Sequence, residues 1–252
     1  HHLVAARDLH FAYPDGHAAL DAVNFTIHHG ESVAIIGGNG AGKSTLLQHL
    51  NGVLTPARGE VRIGDFPVTA DNLAEVRRTV GMIFQDADDQ LFMPTVFDDV
   101  AFGLAHRGLT AEEIETRAMA ALETVGALHL ASRPPYRLSG GEKRLAAIAT
   151  VLVMQPAILV MDEPSSGLDP AARRRLITLL AGFDHTKIIA THDLDLVLDL
   201  CPRVLVMNRG RIDADGPPEA IFADGELLRR CNLEAPPGWP RICGATCRCS
   251  VK

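Results

Sequence analysis

The sequence predicts an α/β protein whose largely parallel sheet is interrupted by an inserted helical segment. Three observations carry that prediction. Short apolar strands alternate with helical stretches from residue 158 onward, a glycine-rich turn joins an apolar strand to a helix at 37–44, and a helical stretch of about 95–154 separates the two halves. Strands that alternate with helices need crossover connections, which cover both faces of a parallel sheet. The 252 residues suffice for one large domain or a domain with a subdomain, and 47% apolar against 22% charged residues allow a sizeable core.

Taken in order, the first thirty positions read as short strands, with Val23, Phe25 and Ile27 alternating with polar neighbours as in a half-buried strand. Residues 32–36 form an apolar strand, 43–51 a helix, and 59–63 and 80–84 further strands. Within the helical stretch, Thr110 to Glu113 and Ser139 to Glu142 have capping-box spacing. The longest apolar run, 145–161, is broken by Thr150, Gln155 and Pro156 and is too short for a bilayer. It reads as a buried helix, a turn at Pro156 and a buried strand. Strand 158–161, helix 170–181, strand 187–190, helix 193–200 and strand 203–207 follow. Arg173, Arg174 and Arg175 are expected on a solvated helix face. The tail after Glu234, with Pro236, Pro237 and Pro240, is expected to be loosely ordered.

Charge and composition exclude some functions. A net charge of -7 and a pI near 5.9 leave no basic footprint for duplex nucleic acid. His1-His2-Leu3 does not open a secretory signal, so the chain is expected to reach a membrane only by docking on another protein. Cys201 stands alone, whereas Cys231, Cys243, Cys247 and Cys249 fall near the end. Reduced thiols are expected, and the spacing of the last three is not a standard zinc pattern.

Two motifs carry chemistry. Gly37-Gly38-Asn39-Gly40-Ala41-Gly42-Lys43-Ser44 fits the phosphate-binding loop G-x-x-x-x-G-K-[ST], between strand and helix as that loop requires. Glycines let backbone N–H groups wrap phosphates, the helix N-terminus adds a favourable dipole, Lys43 reaches the β and γ phosphates, and Ser44 supplies a Mg²⁺ ligand. Ala157-Ile158-Leu159-Val160-Met161-Asp162-Glu163 is a buried strand that delivers two carboxylates to the C-terminal edge of the sheet. Asp162 is the expected Mg²⁺ holder, and Glu163 is expected to polarise an attacking water.

Between them stands Leu138-Ser139-Gly140-Gly141-Glu142, about twenty residues before the carboxylate pair. With this third motif the sequence resembles the ABC ATPase family from Leu3 to about Cys231. The resemblance implies a P-loop NTPase (RecA-like) core with an antiparallel β subdomain over about 1–85 and 155–231, an inserted α-helical signature subdomain over about 86–154, and a flexible tail, 232–252. It implies ATP and Mg²⁺, a homodimer or heterodimer with a related ATPase subunit, and no nucleic acid. Ser139, Gly140, Gly141 and Glu142 would meet the γ-phosphate held by the other subunit. Tyr13 would stack on adenine; a packed strand aromatic is the lesser alternative, since Tyr is amphipathic. Thr45 joins the nucleotide contacts. Gln85 would link Mg²⁺ and water to the helical segment, His192 would contact the γ-phosphate, and Ser166 to Asp169 would cross the dimer interface. Asp169 before Pro170 also makes a good N-cap. Gly38 and Glu142 depart from the commoner Pro and Gln, and neither removes a phosphate contact.

The stretches 84–92 and 94–103 resemble the energy-coupling-factor branch, and 138–150 is most similar to its cobalt/nickel subset, with vitamin import as the alternative. The branch implies a transmembrane transporter component whose coupling helices dock near Gln85, at the cytoplasmic face of a bacterial membrane. Asp86, Asp88 and Asp89 either face arginines there or form an ordinary solvated loop. A soluble ATP-gated clamp is the reading of another class, disfavoured by the absence of a basic face or coiled coil.

Overall fold

A computed structural model describes residues 3–105, 107–237 and 239. The chain opens with β1 (Val4–Ala12) and β2 (Ala18–Ile27), an antiparallel pair, followed by β3 (Ser32–Ile36) and α1 (Lys43–Leu50). Next come β4 (Arg58–Ile63), the two-residue β5 (Phe66–Pro67), α2 (Leu73–Thr79) and β6 (Val80–Ile83). Strands β2-β1-β4-β5 make an antiparallel sheet.

The insertion holds α3 (Val96–Phe102), α4 (Ala111–Thr124) and α5 (Gly140–Leu152). Thr95 caps α3, and both sequence-predicted capping boxes form, Thr110 with Glu113 and Ser139 with Glu142. Each satisfies N–H groups that the first helical turn leaves without partners.

The chain then runs through β7 (Ile158–Asp162), α6 (Pro170–Ala181), β8 (Thr186–Ala190), α7 (Leu194–Leu200), β9 (Arg203–Asn208), β10 (Arg211–Gly216), α8 (Pro218–Ala223) and α9 (Gly225–Arg230). The main sheet has the order β10-β9-β3-β8-β7-β6, parallel except for the edge strand β10. Strands β3, β7 and β8 are buried along their whole length because they serve two cores. Val33, Ile35 and Val160 face α1 and the antiparallel sheet, whereas Ala34, Ile36 and Met161 face the cluster that includes the inserted helices. Period-two geometry thus explains a continuous apolar run.

Several elements differ from expectation. Helices α2, α8 and α9 are six or seven residues long, too short for a periodic signal. Strand β10 reads as polar because it lies at an edge. Arg173 is not a solvated face residue: its guanidinium is forked onto Asp193, with 2.6 Å contacts from Nε and Nη2. The tail does not loosen at residue 232. Leu233, Ala235 and Trp239 pack on the core, and Trp239 meets Phe222 edge-on at 5.6 Å, so apolar burial holds this stretch down. Cys243, Cys247 and Cys249 lie outside the described residues. Among those residues no helix is long and apolar enough to cross a membrane.

Candidate active site

Strand register brings the site together. Asp162 pairs with Ala190, Ile35 also pairs with Ala190, and Ile83 pairs with Met161. The residues that follow these strands therefore emerge along one C-terminal edge: the glycine loop after β3, Glu163 after β7, Thr191 and His192 after β8, and Gln85 after β6. Sheets of this kind bind ligands at that edge.

A cavity of about 610 Å³ opens there, with Tyr13, Lys43, Ser44, Gln85, Asp162, Glu163 and His192 on its walls. Asn39, Gly40, Ala41, Gly42 and Thr45 line it as well. Gly42 caps α1 with φ 100°, a left-handed conformation, and a Cβ there would stand 2.5 Å from the Ala19 carbonyl oxygen. Gly37 sits behind the wall, where a Cβ would lie 2.3 Å from the Met207 carbonyl oxygen. Gly38 is crossed by the chain at Cys231 and Asn232.

Lys43 is buried, and its ammonium donates to Gly37 O at 2.8 Å, Gly38 O at 3.3 Å and His192 Nε2 at 3.2 Å. An ammonium only donates, so His192 Nε2 accepts in that contact. Burial lowers the Lys43 pKa, opposed by the charges of Glu163 and Asp162. Burial raises that of Asp162, opposed by a Ser44 hydrogen bond and by Lys43, Arg144 and His192. Glu163 has left-handed backbone at φ 49°, uncommon without glycine and a form of strain found at functional sites. Its N–H donates to Ala190 O at 2.9 Å, and its Oε2 accepts from Thr191 Oγ1 and His192 N, both at 3.2 Å. Oε1 is buried with no hydrogen-bond partner, 3.5 Å from His192 Nε2. One carboxylate oxygen is thus fixed by the β8 loop, and the other makes no hydrogen bond among the described residues.

Tyr13 is half-buried: its hydroxyl contacts Thr45 Oγ1 at 2.9 Å, and its ring meets Phe11 edge-on at 5.1 Å. Ser139, Gly140, Gly141 and Glu142 do not line this cavity. They form the start of α5, exposed at Ser139 and Gly140 and half-buried at Gly141 and Glu142, beside a second cavity of about 640 Å³, which shares Ser44, Gln85, Asp162 and Ser166 with the first and has Gly140 on its wall. A Cβ on Gly141 would come within 3.1 Å of the Gly167 carbonyl oxygen, so the 166–169 loop lies against the signature helix. Asp169 caps α6 through Ala171 N and Ala172 N, both at 2.8 Å. Asp86 caps a short turn at Asp88, Asp88 pairs with Lys143, and Asp89 is exposed.

Sequence reasoning missed Arg144, Gln90 and Asp193, which hold the loops that carry Gln85 and His192. Arg144 and Gln90 tie residues 84–90 to α5, and Asp193 caps α7 while accepting from Arg173 and Ser165. A lone arginine entering the apolar stretch 145–149 was the available signal for Arg144.

A protein-family model described as ABC transporter matches residues 20–166. A putative ABC transporter ATP-binding protein of Geobacter sulfurreducens is 62% identical over 97% of this chain and 99% of its own. The energy-coupling factor transporter ATP-binding protein EcfA of Methanocaldococcus jannaschii is 47% identical over 93% of this chain and 86% of its own. Among solved structures, CbiO1 of Clostridium perfringens, part of the ABC transporter complex CbiONQ, superposes with TM-score 0.77 at 40% identity, covering 92% of this chain and 94% of that one. An ATP-binding cassette solved as a dimer with ADP and phosphate superposes with TM-score 0.79 at 28% identity, covering 85% and 98%.

Proposed function

This chain belongs to the ABC transporter ATP-binding family and is an ATPase of the energy-coupling-factor type; from that premise we propose that it works as one half of an ATP-sandwich dimer powering import of a transition-metal ion such as cobalt or nickel. The observation that carries the dimer is the separation within one chain. Lys43, Glu163 and His192 share a cavity wall, whereas Ser139 stands outside it on an exposed helix start. A second subunit would bring its own Ser139 helix end, with N–H donors and dipole, to the γ-phosphate.

In this reading the backbone of residues 37–42 cradles the phosphates, and Lys43 exchanges its loop carbonyls for β and γ oxygens. Tyr13 stacks on the adenine. Glu163 accepts the proton of the attacking water through Oε1, and His192 holds the γ-phosphate from the other side. Dimer closure excludes water and fixes the in-line geometry. Ser44, Asp162 and Gln85 offer hydroxyl, carboxylate and amide oxygens on one cavity wall, a donor set suited to Mg²⁺. Bound there, Mg²⁺ would neutralise phosphate charge.

The partner of this reading is a transmembrane component docked beside Gln85 at the cytoplasmic face. Exposed Asp89 and the exposed aromatic pair Phe92 and Phe102, edge-on at 5.1 Å, offer charge and apolar area to its coupling helices. The metal cargo rests on the 138–150 stretch and on likeness to CbiO1. The test is capture of the Glu163→Gln variant from detergent-solubilised native membranes, with mass spectrometry of what accompanies it. An integral membrane component is expected. Recovery of soluble partners alone, with a folded and ATP-binding bait, would reject transport.

A further inference from the structure

Arg144 lies five positions after Ser139 on α5 and is 6% exposed. Nη1 donates to the carbonyl oxygen of Phe84 at 2.6 Å, and Nη2 donates to that of Gln85. Its Nε is buried without a partner. Burial lowers its pKa, opposed by the charges of Asp162, Asp86 and Glu163. Burying a guanidinium is costly unless its N–H groups find well-placed acceptors, and here the fork spans two successive carbonyls. That grip sets the peptide plane from which the Gln85 side chain departs. A lysine, with a point charge and no planar fork, cannot hold both carbonyls in the same way.

A second tie runs along the same helix. Gln90 Oε1 accepts from Phe84 N at 3.3 Å, while Nε2 donates to Ala147 O at 2.8 Å and Thr150 Oγ1 at 2.7 Å. Lys143 adds an ion pair to Asp88. Residues 144, 147 and 150 form one stripe of α5 at helical spacing. Among the described residues, the side-chain hydrogen bonds that leave segment 84–90 all end on α5.

We infer that Arg144 is a positioning residue that locks the Gln85 loop to the signature helix, so that the helix start carrying Ser139 and the loop carrying Gln85 move as one body. Resting on the sandwich reading above, this places Gln85 correctly only when Ser139 has been drawn onto the opposite nucleotide. Hydrolysis then waits for closure, and Arg144 transmits the closure without touching substrate.

The test compares Arg144→Met and Arg144→Lys with the parent in the full chain. Amide hydrogen exchange is read on the nucleotide-free protein, alongside kcat, KM for ATP and metal-free ATP affinity. For Arg144→Met, exchange should rise in residues 84–91 while α1 and β7 stay protected. Its kcat should fall about 10- to 100-fold, as for misplacement of a reacting group by about 1 Å, with KM and metal-free affinity within about two-fold of the parent. Arg144→Lys should fall between the two. Unchanged exchange in 84–91, or an unchanged kcat despite increased exchange, would overturn the assignment. So would a loss of kcat accompanied by exchange throughout α1 and β7, which marks general destabilisation. The sandwich reading is checked separately by ATP-driven dimerisation of Glu163→Gln. If that variant stays monomeric, the sandwich fails, and the exchange data still decide whether Arg144 holds the loop.

Discussion

Replacing Arg173 by Ala should destabilise the chain by about 2 kcal/mol, a value bracketed by exposed pairs at about 0–1 and broken buried pairs at about 3–5 kcal/mol. The geometry sets the place within that range. The Arg173 and Asp193 side chains are 30% and 20% exposed, and the fork makes two 2.6 Å contacts. Asp193 would keep Ser165 Oγ at 3.0 Å and Leu196 N at 3.1 Å, so it would not be orphaned. For a chain of this size the loss corresponds to about 4–8 °C in Tm. Burial pushes the Asp193 pKa up, but the Arg173 fork, the Leu196 N–H and the Ser165 hydroxyl together hold it below its ordinary value. A depressed carboxylate contributes stability above its unfolded pKa and loses it as pH falls through the folded value. The gap between parent and variant should therefore be full at neutral pH and narrow below about pH 4. The assay is urea unfolding at neutral pH in a double-mutant cycle with Asp193→Asn. A coupling below about 0.5 kcal/mol, the scatter expected of independent sites, would refute the reasoning.

The remaining predictions concern the site and its scaffold. Glu163→Gln should cost about 10²- to 10⁴-fold in kcat, because the buried Oε1 would no longer take a proton; steady-state turnover at parental rates would remove it from that role. Gly42→Ala should abolish measurable ATP binding in a fluorescent-nucleotide titration, since its φ of 100° and the Ala19 carbonyl at 2.5 Å both resist a Cβ; parental affinity would show that the loop can relax. Burial pushes the Cys201 thiol up to about 12 from 9.0. Peptide-resolved alkylation at pH 8 should leave it unmodified in native protein and label it in denaturant. Its contribution to stability is present below the unfolded value and is lost as pH rises towards the folded one, and rapid native labelling would contradict its burial.

What could be read from the chain alone was local. Lys43 and Ser44 follow their glycines in one contiguous run, Asp162 and Glu163 end one apolar strand, and Ser139 and Glu142 cap one another three residues apart. Each pattern is complete within a single turn or strand, so its physics is written in adjacent letters, and the α/β class followed from strands and helices alternating over longer stretches. Tertiary structure alone decided which strand ends share an edge, through the register of β3, β6, β7 and β8. It alone showed that Arg144 reaches back 60 residues to Phe84, that Arg173 grips Asp193, and that Leu233, Ala235 and Trp239 pack on the body instead of trailing from it. These contacts join polar or irregular segments far apart in the chain, where no periodicity marks a partner. Their energy depends on burial and on the direction of a guanidinium fork, which exist only once the chain has folded.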